Sequence, residues 1–190
     1  MNTGRASTFF PALLLVAVLV RLGDSVRLLA EGDVTDSISS ACQQTEYFDV
    51  CVSTLQSRPD SQNADVKGLA LISLNACIAH AEGTLAYARQ LRSNATAAAG
   101  HGGDDYATRC LDDCLTQYSD ALDDLRESVA DAQDGAYGSV NARVSGAMTD
   151  SDSCEDGFAE QPGYSSPLTE RNDFFSKLCS NALAITRLLS

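Results

Sequence analysis

The chain has 190 residues, 26 of them acidic and 13 basic, which gives a formal net charge of −13. This acidity disfavours binding to nucleic acid and to anionic polysaccharide, because both are held mainly by lysine and arginine patches. A basic protein partner would instead be attracted, although an acidic surface also serves solubility alone and does not require a partner.

The first thirty residues have the pattern of a secretory signal peptide. Arg5 precedes an unbroken apolar run over residues 9–20, which is shorter than the roughly 20 residues that span a bilayer. Small residues at Gly23, Ser25 and Ala30 suit cleavage. We therefore predict a signal peptide over residues 1–25, with cleavage between 23 and 30. No later apolar run is long enough to span, so the mature protein is expected to be secreted and free of membrane; a retained anchor is the alternative.

Residues 33–55 carry a helical pattern of apolar residues around Ala41, Phe48 and Val52, which residues 57–60 interrupt. Four longer segments with few Gly or Pro residues follow, the first at 66–91.

The second long segment has the clearest pattern, because its apolar residues recur in steps of three and four with Asp and Glu between them. They are Leu111, Leu115, Tyr118, Leu122, Leu125 and Val129. A third helix is predicted around residues 139–158, and a fourth from Ser166-Pro167 to the end, with Ser166 as its N-cap. Residues 95–105, which are polar and Gly-rich, are predicted as a surface loop. The natural packing of these segments is an all-α antiparallel four-helix bundle with an N-terminal helical extension.

The chain contains seven cysteines, which after a secretory signal imply disulfides, because the exported compartment is oxidising. Since seven is odd, at least one thiol has no partner within a monomer. Cys110 and Cys114 lie four residues apart, but no His or second Cys pair converges on them in the sequence, so no metal site is predicted.

Catalysis has no support in the sequence. The two histidines are His80, within a helical segment, and His101, between glycines of the polar linker, where geometry is hard to fix. There is no Gly-rich phosphate loop and no nucleophile elbow, so neither an enzyme nor a cofactor is expected. Asn94-Ala95-Thr96 is an N-glycosylation sequon at the start of the linker.

Four of the cysteines have a characteristic order and setting. Cys42 and Cys51 lie nine apart, Cys114 opens the string CLTQYSDALDDL, and Cys154 lies within AMTDSDSCEDGF. This order resembles that of the plant invertase inhibitor and pectin methylesterase inhibitor family, and the strings KGLALISL and SPLTERNDFFSKLCSNALAITRLL are similar to that family's first and last bundle helices. The resemblance extends from about Ile38 to Leu189, within an inhibitor domain that we place at residues 33–189.

The resemblance implies a four-helix bundle preceded by a helical hairpin. It implies that Cys42–Cys51 closes the hairpin and that Cys114–Cys154 ties the second bundle helix to the third. The remaining cysteines lie in or beside apolar helical stripes, where Cys usually acts as a small buried apolar residue; they are Cys77, Cys110 and Cys179.

Family resemblance implies inhibition of an extracellular or vacuolar carbohydrate enzyme through a stoichiometric complex. In the resembled methylesterase inhibitors the bundle covers the pectin cleft, and a Thr and an Asp just before the fourth family cysteine make polar contacts; Thr149 and Asp152 match them. The resembled invertase inhibitors present Pro-Lys-Phe, of which only the aromatic position is kept here, as Tyr137 after Asp134-Gly135-Ala136.

The missing lysine favours pectin methylesterase over acid invertase as the target, since the lysine would meet carboxylates in a glycosidase cleft. The strings CEDGF and SPLTERN nevertheless resemble a pollen-associated branch labelled as invertase inhibitors. We expect a monomer that binds one methylesterase molecule in the apoplast or cell wall. Acid invertase with a wall or vacuolar location is the alternative, and a non-inhibitory helical wall or pollen protein is the third hypothesis.

Overall fold

The structure is a computed structural model that describes residues 37–99 and 105–190. Within these ranges the chain forms six α-helices, one short 3-10 helix and no β-strand. The α-helices are α1 (37–42), α2 (Phe48–Gln56), α3 (Val66–Ala99), α4 (Asp105–Asp134), α5 (Tyr137–Ala159) and α6 (Thr169–Arg187), and the 3-10 helix is Pro59–Asn63. The predicted signal peptide and His101 lie outside the described residues.

Helices α3 to α6 form an antiparallel four-helix bundle in which each helix packs against two neighbours. Polar contacts between α3 and α4 show the register. Near the end of α3, Arg92 forms an ion pair with Asp112 early in α4 (Nε–Oδ1 2.8 Å). At the beginning of α3, Lys67 donates to the carbonyl of Gln133 near the end of α4 (Nζ–O 2.8 Å). The predicted all-α bundle is confirmed.

The apolar stripe of α4 faces the centre of this bundle, as its spacing predicts. Leu111, Tyr118, Leu122 and Leu125 are buried, while Leu115 and Val129 are partly buried at the edge of the same core. Removing such apolar surface from water is the main favourable term in folding.

The segment before the bundle is the expected helical hairpin, formed by α1 and α2 and joined by the disulfide Cys42–Cys51. The hairpin packs against one end of the bundle, where Ile38 meets Leu69 of α3 and Ile185 of α6 in a second buried cluster. It therefore covers apolar side chains that would otherwise face water at the beginning of α3 and the end of α6. A second disulfide, between Cys114 and Cys154, joins α4 to α5 inside the core.

A tight turn connects α4 to α5. Gly135 has a positive φ of 78°, which costs a glycine little because it has no Cβ. Its N–H donates to the carbonyl of Ala132 at 3.3 Å, and the N–H of Ala136 donates to the carbonyl of Asp131 at 2.8 Å. This pair of bonds is the Schellman arrangement that ends a helix and satisfies its last carbonyls.

The prediction that residues 95–105 form a loop was wrong for residues 95–99, which are helical, and for Asp105, at which α4 begins. Helix α3 runs to Ala99 and not to Leu91, because its last residues are mostly alanine, which has the highest helix propensity. In the sequence alone, the glycines and aspartates that follow these alanines favour a linker.

The predicted start of α6 was also wrong, by three residues. The Oγ of Ser166 accepts a hydrogen bond from the N–H of Leu168 at 3.0 Å, so it stabilises a turn at Pro167 and Leu168, and α6 begins at Thr169. A serine hydroxyl that bonds to the backbone two residues ahead favours such a turn over a helical start.

Helix α3 is long and apolar enough to cross a membrane by length and composition, over Val66–Ala97, contrary to our expectation that no stretch after the signal qualifies. Half of the 18-residue stretch that meets this criterion is buried inside the bundle. Packing against the other helices therefore accounts for its apolar character.

Candidate partner-binding surface

Thr149 and Asp152 are both exposed on α5. Because residues three apart in a helix are neighbours on one face, the two side chains are presented to solvent together. The Oγ1 of Thr149 donates to the carbonyl of Ser145 at 3.1 Å, and Ser153 donates in the same manner to the carbonyl of Thr149 at 2.9 Å. The structure therefore brings these two predicted contact residues together on an accessible surface.

Half of the chain's 26 acidic residues lie on α4 and α5, the half of the bundle that carries Thr149 and Asp152. Helix α4 carries nine acidic and two basic residues, and α5 carries four acidic residues and one basic residue. The opposite helices are slightly basic, since α3 has three basic residues against one acidic and α6 has three against two. We call the surface formed by α4 and α5 the acidic face.

Carboxylates on the acidic face repel one another around the predicted contact residues. Partial burial and then the nearby Asp120 and Asp124 raise the pKa of Asp150. Partial burial and then Asp156 raise the pKa of Asp152. Both shifts mean that burial and like charge disfavour the ionised form of these two carboxylates.

Ion pairs neutralise other carboxylates of α4. The guanidinium of Arg143, on α5, contacts Asp124, Glu127 and Asp131, with its Nε 2.8 Å from Oδ2 of Asp131. Among the described residues, Asp150 and Asp152 form no such pair with lysine or arginine. The uncompensated charge is thus concentrated toward the C-terminal half of α5, where both residues lie.

A shallow groove of 680 Å³ runs between α4 and α5 and is lined on the α5 side by Ser153, Asp156 and Gly157. Its floor includes the carbonyl of Gly157, which accepts hydrogen bonds from the hydroxyl of Tyr106 at 2.6 Å and from the thiol of Cys110 at 3.3 Å. Asp113 and Asp156 line opposite sides of it. Four carboxylates and one guanidinium, that of Arg109, line the groove, so its net negative charge suits a cationic side chain of a partner protein.

Cys110 and Cys114 do not form a pair of metal-ligating thiolates, although they lie four residues apart on one helix. Cys114 is bonded to Cys154, so it has no thiolate to offer a metal ion. No group of three or more potential metal-ligating side chains occurs in the ranges that the structure describes.

Tyr137 is not part of the surface around Thr149. It is the first residue of α5 and is partly buried, and the 12 residues that separate it from Thr149 correspond to about 18 Å along a helix. It lies instead at the α4–α5 turn. Lys67, which sequence reasoning did not select, donates to Gln133 at the same end of α4; it was missed because 66 residues separate the two.

Asn94 is exposed, but it lies in the last turns of α3 and not in a loop. The hydroxyl of Thr96 donates to the carbonyl of Arg92 at 2.8 Å, so the sequon is helical in the folded chain. Asp150 and Asp156 were also missed by sequence reasoning. On α5, Asp156 lies one turn after Asp152 on the same face, whereas Asp150 lies on the side of the helix that faces Asp120 and Asp124 of α4.

Comparison with known proteins identifies the chain. The profile of the family described as "Plant invertase/pectin methylesterase inhibitor" matches residues 36–185. The chain belongs to this family. Its members are inhibitors of enzymes, so this protein is an inhibitor of the same kind and not an enzyme.

Individual relatives of this inhibitor carry both kinds of name. A "Putative invertase inhibitor" of Platanus acerifolia is 37% identical over 143 residues, which cover 75% of each chain. "Pectinesterase inhibitor 28" of Oryza sativa is 36% identical over 156 residues, which cover 80% of this chain and 69% of that one. The crystal structure of a mutant pectin methylesterase inhibitor from Arabidopsis has the same fold, with a TM-score of 0.65, 23% identity, and coverage of 81% of this chain and 97% of that chain.

Proposed function

We propose that the protein inhibits pectin methylesterase by docking its acidic face on the enzyme in a one-to-one complex, and thereby regulates methylesterification of cell-wall pectin. The observation that supports this proposal is the concentration of uncompensated carboxylates around the exposed pair Thr149 and Asp152. An enzyme that acts on polyanionic pectin is expected to carry basic groups near its cleft, and an acidic bundle competes for such groups.

The raised pKa values of Asp150 and Asp152 add a physical reason. Ionised carboxylates that repel one another in the free protein gain more from an approaching cation than carboxylates already paired with arginine. A basic partner surface thus relieves repulsion on docking, and long-range attraction raises the association rate.

The proposal includes secretion as a monomer to the apoplast after removal of residues 1–25. Two disulfides in the structure agree with an oxidising compartment. The sequon at Asn94 is on α3, so a glycan attached there would leave α5 accessible.

The test is the inhibition and association kinetics of purified mature protein with a plant pectin methylesterase. The double variant Thr149→Ala/Asp152→Asn should weaken binding by about tenfold, or 1.4 kcal/mol. Asp173→Asn removes one carboxylate from the exposed surface of α6 and should leave binding unchanged. The association rate of the wild type should fall as salt rises from about 0.01 to 0.5 M, because screening shortens the range of attraction. Equal affinities of the double variant and wild type would contradict the proposed surface.

Acid invertase is the second candidate target, and one structural observation supports it. Lys67 lies beside the α4–α5 turn that ends in Tyr137, so a lysine and an aromatic residue lie at the same end of the bundle although they are remote in sequence. Lys67→Ala should then abolish inhibition of invertase and spare that of methylesterase. Inhibition of neither enzyme by the wild type would contradict both candidates.

A further inference from the structure

Two of the three free thiols face each other in the core. Cys77 of α3 and Cys179 of α6 are both fully buried in the same apolar cluster, on helices that pack against each other. The register of the two helices places them at the same level of the interface. On one side the Nε2 of His80 donates to the carbonyl of Arg171 at 2.9 Å, and on the other Ser73 and Asn181 line one small pocket.

We propose that Cys77 and Cys179 form a third disulfide, which joins the first and last helices of the bundle. The chain already contains two disulfides, so it is made where thiols are oxidised. A disulfide requires two side chains that approach each other across the helix interface, and the contacts on both sides of this pair bring α3 and α6 together at its level. This bond belongs to the α3–α6 interface, whereas the two existing bonds lie in the hairpin and between α4 and α5.

Cys110 is then the unpaired seventh cysteine. Its thiol donates to the carbonyl of Gly157 at 3.3 Å, on the α4–α5 side of the bundle and away from the α3–α6 pair. The odd cysteine count is thereby explained without an intermolecular bond.

The oxidation balances as thiol–disulfide exchange with a disulfide oxidant, such as glutathione disulfide or an oxidoreductase of the secretory pathway. The thiolate of one cysteine attacks the oxidant's disulfide and releases one thiol. The thiolate of the second cysteine attacks the resulting mixed disulfide, forms the Cys77–Cys179 bond and releases a second thiol. Two cysteines lose two electrons to the oxidant, and their two protons end on the two released thiols.

The bond must form before the bundle closes. Burial, together with contact with Cys77, raises the pKa of Cys179, and the thiolate that attacks a disulfide is disfavoured there. The folded dithiol is therefore slow to oxidise, and the bond, once formed, is equally protected from reduction. Inhibitory activity does not depend on this bond, because the acidic face lies on the other two helices.

The test is a thiol count and a peptide map of the full-length protein secreted through an oxidising pathway. The protein is unfolded in guanidinium chloride without reductant, alkylated and digested with trypsin. We expect one alkylated cysteine, Cys110, and a cross-linked pair of peptides, residues 68–89 and 178–187, each of which contains a single cysteine. Three alkylated cysteines, or a cross-link from Cys110 to Cys77 or Cys179, would overturn the proposal.

Matched variants separate the pair from the remaining thiol. Cys110→Ser should keep the cross-linked peptides and show no alkylated cysteine, whereas Cys77→Ser should lose them and show two. If Cys77→Ser fails to fold, reduced wild type supplies the second measurement. In glutathione disulfide it should form the cross-link at least tenfold faster when unfolded than when folded; no cross-link in either state contradicts the proposal.

Discussion

Tyr118 of α4 donates its phenolic hydrogen to Oδ1 of Asn172 on α6 at 2.7 Å, and both residues are buried in the bundle. The amide of Asn172 in turn donates to Oε2 of Glu155 on α5 at 2.7 Å. Three helices are thus joined by one polar chain inside an apolar core. A satisfied network of this kind fixes the register of the helices, because any slip would leave buried polar groups without partners.

Tyr118→Phe should destabilise the protein by about 1–3 kcal/mol, since it leaves the carbonyl oxygen of Asn172 unsatisfied in the core. The measurement is the free energy of unfolding in guanidinium chloride. Tyr87→Phe is the matched control: the ring of Tyr87 lies under the guanidinium of Arg171 at 4.6 Å, and the same hydroxyl is removed from a partly exposed site. Equal small losses in both variants would show that the bond to Asn172 contributes nothing.

Removal of the Cys114–Cys154 disulfide should destabilise the protein more than removal of Cys42–Cys51. The two bonds have sequence separations of 40 and 9, for which chain entropy gives upper values of about 4 and 2.7 kcal/mol. The double serine variants are compared by thermal and denaturant unfolding. A larger loss from the hairpin bond would mean that strain or packing, and not loop closure, decides the ranking.

Asp150→Asn should stabilise the protein at neutral pH and not at acidic pH. The pKa of Asp150 is raised by burial and by Asp120 and Asp124, so the folded chain binds the proton more readily than the unfolded chain. Stability therefore falls as pH rises through the window between the unfolded and folded pKa values.

The Asp150→Asn variant should melt about 1–2 °C above the wild type at pH 7, and the difference should vanish near pH 3. Melting temperatures across this range are the measurement, with Asp173→Asn on α6 as the charge-matched control. A gain that persists unchanged at low pH would assign the effect to packing.

His80 should contribute stability above its unfolded pKa and lose it on acidification. Burial is the main cause that lowers its pKa, opposed by the hydrogen bond to Arg171. Between the two pKa values the unfolded chain binds more protons, so stability falls as pH drops from about 6.5 through the folded pKa. His80→Gln should flatten the pH dependence of the urea midpoint between pH 7.5 and 5. Proton NMR of the imidazole measures the pKa of His80 independently. A pKa above that of a free histidine would contradict the prediction.

Periodicity along a single segment was enough to predict the bundle. The stripe on α4 specifies a buried face because steps of three and four residues return to the same side of a helix, whatever the neighbour is. The structure places Leu111 and Leu125 of this stripe in the core. Helix ends were predicted less well, since Ser166 and the alanines after Asn94 each satisfy two local patterns: the serine suits an N-cap or a turn, and the alanines suit a linker or the end of a helix.

The candidate surface was predicted only in part. The resemblance selected Thr149 and Asp152, and the helical spacing of α5 explains why both are exposed. Asp120 and Asp124, which help to raise the pKa of Asp150, come from α4. The sequence alone does not show which faces of two helices pack against each other.

The seven cysteines show the same division between sequence and structure. The signal-like N-terminus predicted disulfides, because an exported protein meets an oxidising compartment. The odd number of cysteines predicted at least one unpaired thiol. Only the tertiary structure showed that Cys77 and Cys179 are buried at the same level of the α3–α6 interface, because their proximity depends on how the two helices align across the core. Sequence determined which residues are apolar, acidic or oxidisable; packing decided which of them meet, since contacts between helices depend on register and on the satisfaction of buried polar groups such as Asn172.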